Sequence, residues 1–302
     1  MRVLATPQDA GLDGRTVAPG RLLEWIDRAG YACAVGFAKA YCVTAYVGDI
    51  RFTEPVRSGD LVTLEGRIIQ TGRASMQIRV TVDAAETAAS VGRRAMECVL
   101  VFVALDDDRR PRAVPAWSPH DAAGIELERR AEDRLEARKV IRDAMMAQAY
   151  SDRGTTPQSK LRFLAAPGDA NWGGNAHGGT VMRWIHEAAW SVAASWSSAS
   201  AVAIYSGGMH FLKPIRIGSV VEVDARLILV TDDVMHISTR VSSAPAEQPA
   251  AVELTTVCMN IYAVPDGEGG RKRIAPLQLV SDEDRRLGDH ALELVALRAA
   301  LP

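Results

Sequence analysis

Apolar residues over positions 19–38 fall around most of a helical circumference: Leu22, Leu23, Trp25, Ile26, Ala29, Ala32, Val35 and Phe37. A stretch this apolar, with Pro19 and Gly20 at its mouth, predicts a long helix buried on most sides. The pattern then changes period. "CVTAYVGDIRF", "LVTLEGRIIQT", "SMQIRVTVDA" and "MECVLVFVAL" alternate in part and are rich in β-branched residues, with turn signals such as "RSGD" between them. One buried helix followed by a run of antiparallel strands predicts an α+β layer.

The same pattern returns. Shifted by 159 residues, "PGRLLEWIDRAG" falls on "GGTVMRWIHEAA", and "YVGDIRFTEPVRSGDLVTLEGRI" falls without a gap on "YSGGMHFLKPIRIGSVVEVDARL". Gly20, Trp25, Ile26, Tyr46, Phe52, Pro55 and Arg57 meet identical partners at Gly179, Trp184, Ile185, Tyr205, Phe211, Pro214 and Arg216. Chance does not hold one register this long, so the chain reads as a tandem duplication. The expected domains are 1–118 and 158–302, joined by a linker over 119–157. That linker carries an exposed helix, signalled by Glu/Arg spacing in "IELERRAEDRLEARKVIRDAMMAQ". A shorter relative, "SDEDRRLGDHALELVALRAAL", closes the second domain, and both helices read as appendages rather than cores.

Composition narrows the partners. A chain of 302 residues, 48% hydrophobic and with a net charge of −2, is a globular protein of about two domains, with no charge reason to bind nucleic acid or an anionic membrane. The start "MRVLATPQDAGLDGR" lacks the apolar core of a signal peptide, and no segment has the length of apolar sequence a membrane span needs. Cys33, Cys42, Cys98 and Cys258 show no paired spacing and fit free thiols in a reducing cytoplasm. The six histidines are scattered without metal-ligand spacing, so neither a metal nor a bound cofactor is expected.

"NWGGNAHGGTVMRWIHEAA", its partner "PGRLLEWIDRAG" and the strand signatures "IRFTEPVRSGD" and "MHFLKPIRIGS" together resemble the hotdog-fold acyl-CoA thioesterases, in particular the tandem, double hotdog group. The resemblance covers nearly the whole chain. It implies two hotdog domains, each an antiparallel sheet wrapped around a long central helix, paired side by side with sites between them. It also implies hydrolysis of acyl-CoA to free acid and coenzyme A, with coenzyme A as part of the substrate. A homo-oligomer, such as a trimer of double hotdogs, follows from the same source.

The family's helix carboxylate falls on Asp27 in the first repeat and on His186 in the second; Glu187, one residue on, points about 100° away. The loop shows the opposite asymmetry. Asn171 and the turn His177, Gly178 and Gly179 stand in the second repeat, whereas the first has Gly11 or Leu12 in the Asn place and Ala18, Pro19 and Gly20 in the turn. Pro19 has no N–H to give. The losses are complementary, and the resemblance therefore implies one composite site: Asp27 with Asn171, Gly178 and Gly179 as catalytic groups.

In that reading the N–H of Gly178 or Gly179, at a helix N-terminus, faces the developing oxyanion, and Asn171 donates to the carbonyl or the water. Asp27 acts either as general base on water or by direct attack. His177 holds the loop, and Arg57, Lys213 and Arg216 are candidate contacts for the coenzyme A phosphates, or else structural ion pairs. Asp13 is a reserve acid, and Glu24 reads as a solvated or capping charge. Two other classes stay open. A hotdog hydratase would show "GDxNPxH", where this chain has "GDANWGGNAH", and a dehydratase would place Glu where Trp25 stands. A non-catalytic acyl-CoA-binding protein is the third reading.

Overall fold

The computed structural model describes residues 1–87, 92–151 and 153–300, the Asp49 side chain excepted. The expected domains and linker also include 88–91, 152 and 301–302, which lie outside the described residues. Two compact units emerge: residues 1–133 with 178–183, and residues 134–177 with 184–302.

In the first unit, β1 (Arg2–Leu4), a single 3-10 turn (Pro7–Asp9) and α1 (Pro19–Ala38) precede β2 (Tyr41–Phe52), β3 (Asp60–Thr71), β4 (Ser75–Glu86) and β5 (Arg93–Leu105). The sheet order is β1-β3-β4-β5-β2, antiparallel throughout. Pro19 opens α1 at a position where its missing N–H costs nothing, and Lys39 closes it in the left-handed conformation, its N–H donating to Val35 O. The helix packs against β2, β3, β4 and β5. Leu23 and Ile26 are fully buried under it, and Gly30 comes so close to the sheet that a Cβ would stand 2.9 Å from the Phe102 ring. The tight "RSGD" turn into β3 is made at Gly59, whose φ of 93° favours glycine.

The second unit repeats the plan with β6 (Gln158–Leu164), a 3-10 turn (Pro167–Asp169), β7 (Val202–Phe211), β8 (Val220–Val230), β9 (Val234–Ala244) and β10 (Glu253–Ala263), in the order β7-β10-β9-β8-β6. Helix α3 (Gly178–Trp196) divides after Arg183, its first residues clustering with the first unit and the remainder with the second. From Trp184 onward, Ile185, Ala188, Ala189, Val192 and Ala193 are buried, and the Trp184 ring meets Phe163 edge-on at 4.9 Å. Both repeats carry a register shift at the same place, between Ile68 and Gln70 and between Leu227 and Leu229.

Both expected helices form, as α2 (Ala122–Met146) and α4 (Asp282–Ala299), but neither is a mere exposed appendage: α2 buries Ala131 against Ile69 and Val99. Leu287, Ala291 and Leu294 of α4 join Ile141 and Met145 from the end of α2 over Ile228, Val257 and Met259 of the second sheet, making a second apolar layer. Charged residues crowd the first turns of α4, yet Leu287, Ala291 and Leu294 recur every third or fourth residue, which is enough to bury one stripe. No helix among the described residues is long and apolar enough to cross a membrane, and all four cysteines are free.

Candidate active site

Asp27 lies on the buried face of α1 and is 1% exposed. A carboxylate placed there needs donors, and it has them on both oxygens. Thr44 Oγ1, from β2, donates to Oδ1 at 2.7 Å, and the Gly179 N–H donates to Oδ2 at 2.7 Å. The second donor follows from helix geometry, because the first N–H groups of α3 have no partner within the helix and carry the positive end of its dipole. Thr44 is presented by an irregular stretch of β2, where the pairing with β5 shifts register between Thr44 and Tyr46.

Glycine is required at this turn for space. A Cβ on Gly178 would stand 3.0 Å from both Asp27 Oδ2 and Thr44 Oγ1, and one on Gly179 would reach 2.7 Å from Glu24 Cα. The structure thus brings together three of the expected catalytic residues, Asp27, Gly178 and Gly179, and adds Thr44. The Gly179 N–H donates to Asp27, and Gly178 takes the first position of α3.

Glu24 departs from expectation. It is 5% exposed and takes two charge-assisted hydrogen bonds, from Arg183 Nε at 2.8 Å and from Arg21 at 2.6 Å. Arg21 also donates to Asp9 Oδ1 at 2.8 Å, and Asp9 accepts from the Thr6 hydroxyl and N–H, which hold its carboxyl below the usual range against the opposing effect of burial. Glu24 stands three residues before Asp27 on one helical face, and that face is turned inward rather than to water.

The loop residues lie in the second unit. Asn171 Oδ1 accepts from the N–H groups of Gly173 and Asn175, at 2.8 and 3.2 Å, while the Asn171 N–H donates to Asn175 O. With its oxygen held by the loop, the amide nitrogen is the part of Asn171 able to donate to a ligand. His177 N–H bonds Asp169 O and leads the chain into α3. In the first repeat Gly11 N–H and Gly14 N–H reproduce the hydrogen bonds of Asn171 and Gly174, so Gly11, not Leu12, is the true counterpart of Asn171. Asp13 supplies the loop-holding oxygen there, accepting from Arg15 N–H, Thr16 N–H and the Thr16 hydroxyl, which explains its lowered pKa against a burial effect that opposes it.

The candidate phosphate contacts are exposed. Arg57 faces Glu86 at 3.7 Å and Lys213 faces Glu253 at 2.8 Å, both pairs largely in solvent and of little energetic weight. Arg216 is exposed, and its backbone bridges Asn175, placing it beside the Asn171 loop of its own unit.

At the position equivalent to Asp27, His186 is 3% exposed and burial pushes its pKa down to about 4. Its Nδ1 is 3.3 Å from the Tyr262 hydroxyl, which also donates to His186 O at 3.2 Å. Ala203 replaces Thr44, and Tyr262, paired with it across β7 and β10, replaces Phe102. Glu187 is exposed, as its angular offset requires.

Thr44 is the residue that sequence reasoning missed. The signal was present: in the gapless alignment, Thr44 falls on Ala203 just as Asp27 falls on His186.

A family model described as the thioesterase superfamily matches residues 14–91 and 173–250, more than half of the chain. Acyl-CoA thioester hydrolase YciA of Escherichia coli is 33% identical over 118 residues, covering 38% of this chain and 89% of that protein. An uncharacterized acyl-CoA thioester hydrolase of Zymomonas mobilis is 36% identical over 115 residues, 38% of this chain and 76% of its own length. Acyl-coenzyme A thioesterase 11 of Mus musculus matches 213 residues at 25% identity, 66% of this chain but 36% of the mouse protein. Among solved structures, an acyl-CoA hydrolase from Staphylococcus aureus has a TM-score of 0.45 and 29% identity, covering 47% of this chain and 87% of that one.

Proposed function

The chain belongs to the thioesterase superfamily, and we propose from that premise that it hydrolyses acyl-CoA to a free acid and coenzyme A at one site built around Asp27. The observation that carries this reading is the pair of donors on a 1%-exposed carboxylate, Thr44 on one oxygen and Gly179 N–H on the other. Held so, Asp27 presents an oriented carboxylate to a water bound at the site.

Asp27 takes a proton from that water as the water oxygen attacks the thioester carbon. The carbonyl oxygen becomes an oxyanion and receives hydrogen bonds from Gly178 N–H and the Asn171 amide. Collapse breaks the C–S bond, and the proton on Asp27 passes to the departing thiolate. A carboxylate bonded at both oxygens and 1% exposed is better placed to bind a water than to reach a carbonyl carbon, which favours the general-base route over direct attack.

Asn171 stands eight residues before Gly179 in the chain, so the loop that carries it is tied by short connection to the turn that grips Asp27. The reciprocal position is proposed to be inactive, since His186 and Ala203 supply neither carboxylate nor hydroxyl. Arg57, Lys213 and Arg216 remain proposed contacts for the coenzyme A phosphates, and His177 a proposed loop support. No metal or bound cofactor is invoked. A homo-oligomer, a trimer of double hotdogs, and a cytoplasmic setting are proposed alongside, on the family resemblance and the four free thiols.

The deciding experiment is thiol release, followed with a thiol-reactive dye, from short, medium and long acyl-CoA by the native chain and Asp27→Asn. Release that depends on Asp27 supports the reading. Water addition to an enoyl-CoA makes the protein a hydratase, and saturable acyl-CoA binding without turnover makes it a binding protein.

A further inference from the structure

The two helices that meet at the site cross with a local symmetry. Gly20 and Glu24 on α1 occupy the same repeat positions as Gly179 and Arg183 on α3. The contacts honour it: a Cβ on Gly179 would stand 2.7 Å from Glu24 Cα, and one on Gly20 would stand 2.9 Å from Arg183 Cα. Each glycine lets the other helix approach at the point where Glu24 or Arg183 leaves it.

Had the duplicated halves stayed identical, this crossing would set like beside like. Instead the chain places a carboxylate on one side and a guanidinium on the other, 2.8 Å apart, with Glu24 5% exposed. Arg21, which adds a second cation to Glu24, also lacks a copy, since Thr180 stands at its repeat position. The whole asymmetric network, Asp9, Arg21, Glu24 and Arg183, lies on the side that kept the catalytic carboxylate.

Helical spacing links this ion pair to the chemistry. Glu24 and Asp27 are three apart on α1, and Gly179 and Arg183 are four apart on α3, so the two pairs of contacts share one face of each helix. We propose that Glu24 is a positioning residue for the reaction of Asp27: by gripping Arg183 it fixes the first turn of α3, and so keeps the Gly179 N–H on Asp27 Oδ2 and the Gly178 N–H at the carbonyl. The proposal rests on the hydrolase reading above. It explains why a buried carboxylate, paired with a guanidinium whose side chain is 33% exposed, is kept at a helix crossing where an apolar side chain would pack as well.

Glu24→Gln, Arg183→Met and Arg183→Lys test it, with kcat and KM for acyl-CoA and with glycine-selective 15N labelling, the Gly179 amide being assigned through Asp27→Asn. Loss of a charge-assisted bond predicts a fall in kcat of about tenfold for Glu24→Gln and Arg183→Met, with KM within about twofold, and recovery of most of kcat in Arg183→Lys. The Gly179 amide resonance should move upfield in Glu24→Gln, toward its place in Asp27→Asn. An unmoved Gly179 resonance, or an unchanged kcat, overturns the proposal, as does a parallel loss of kcat, KM and melting temperature. A native chain that releases no thiol defeats the hydrolase reading instead, and the Gly179 resonance still decides whether Glu24 sets the turn.

Discussion

Asp27 and His186 occupy the same position in two copies of one helix, and both are almost wholly buried. Their surroundings differ in the way their chemistry demands. Around Asp27 the first unit supplies Thr44 and the Gly179 N–H, two donors for two oxygens. Around His186 the second unit supplies the Tyr262 hydroxyl, a partner for a neutral ring, while Ala203 withdraws the hydroxyl that a carboxylate would need. A buried position can keep a charge only where its neighbours keep the hydrogen bonds, and the two repeats differ at the carboxylate and at its donor together.

The contrast can be broken most sharply at Asp27. Asp27→Asn removes the base while keeping the size of the side chain, and kcat for acyl-CoA hydrolysis should fall about a thousandfold, as loss of a general base does. Circular dichroism should show the fold intact, and a loss of less than tenfold would mean that the base lies elsewhere.

His186→Asp tests the reverse. A carboxylate buried where Ala203 stands in place of the Thr44 hydroxyl should destabilise the chain by about 3 kcal/mol, read as a lower urea midpoint, and should create no second site. Titration with a slow-turnover acyl-CoA analogue would still give one site per chain.

Acid should weaken the second repeat through the same histidine. Its folded pKa of about 4 lies below the ordinary 6.5, so the folded chain keeps it neutral while the unfolded chain takes up a proton. Its contribution is complete above about pH 6.5 and declines as pH falls toward 4; at pH 5 the deficit is about 2 kcal/mol. His210 and His236, also held at about 4 by burial, act in the same direction. His186→Gln should therefore show a shallower loss of stability between pH 7 and 5 than the native chain, and equal slopes would count against a buried neutral ring.

The smallest effect sharpens the comparison at one hydroxyl. Thr44→Ala gives the first repeat the residue of the second, and kcat should drop about tenfold, with Thr44→Ser restoring most of it. If alanine leaves kcat untouched, the Thr44 hydroxyl is not needed to orient Asp27.

Much of this is legible in the amino-acid sequence. The period change after residue 38 and the 159-residue self-match carried the α+β class and the duplication, because burial of one helix on one sheet leaves a pattern in every residue. The motif around Gly178 and the carboxylate at Asp27 carried the family. Glu24 was misread because a charged side chain in a helix is ordinarily solvated, and only the partner helix shows that Arg183 and Arg21 enclose it. Thr44 was overlooked because a threonine in a strand is ordinary, although its exchange for Ala203 was visible in the repeat. The apolar layer under α4 was hidden behind a charged sequence.

What the chain determined by itself is therefore periodic or comparative: elements, repeat, and which half lost which group. Only the tertiary structure decided where individual donors go, above all that the Gly179 N–H belongs to Asp27 and that a carboxylate and a guanidinium meet at Glu24 and Arg183. Hydrogen bonds between residues more than 150 positions apart leave no period in a sequence, since they depend on the meeting of two helix ends rather than on the spacing along either one.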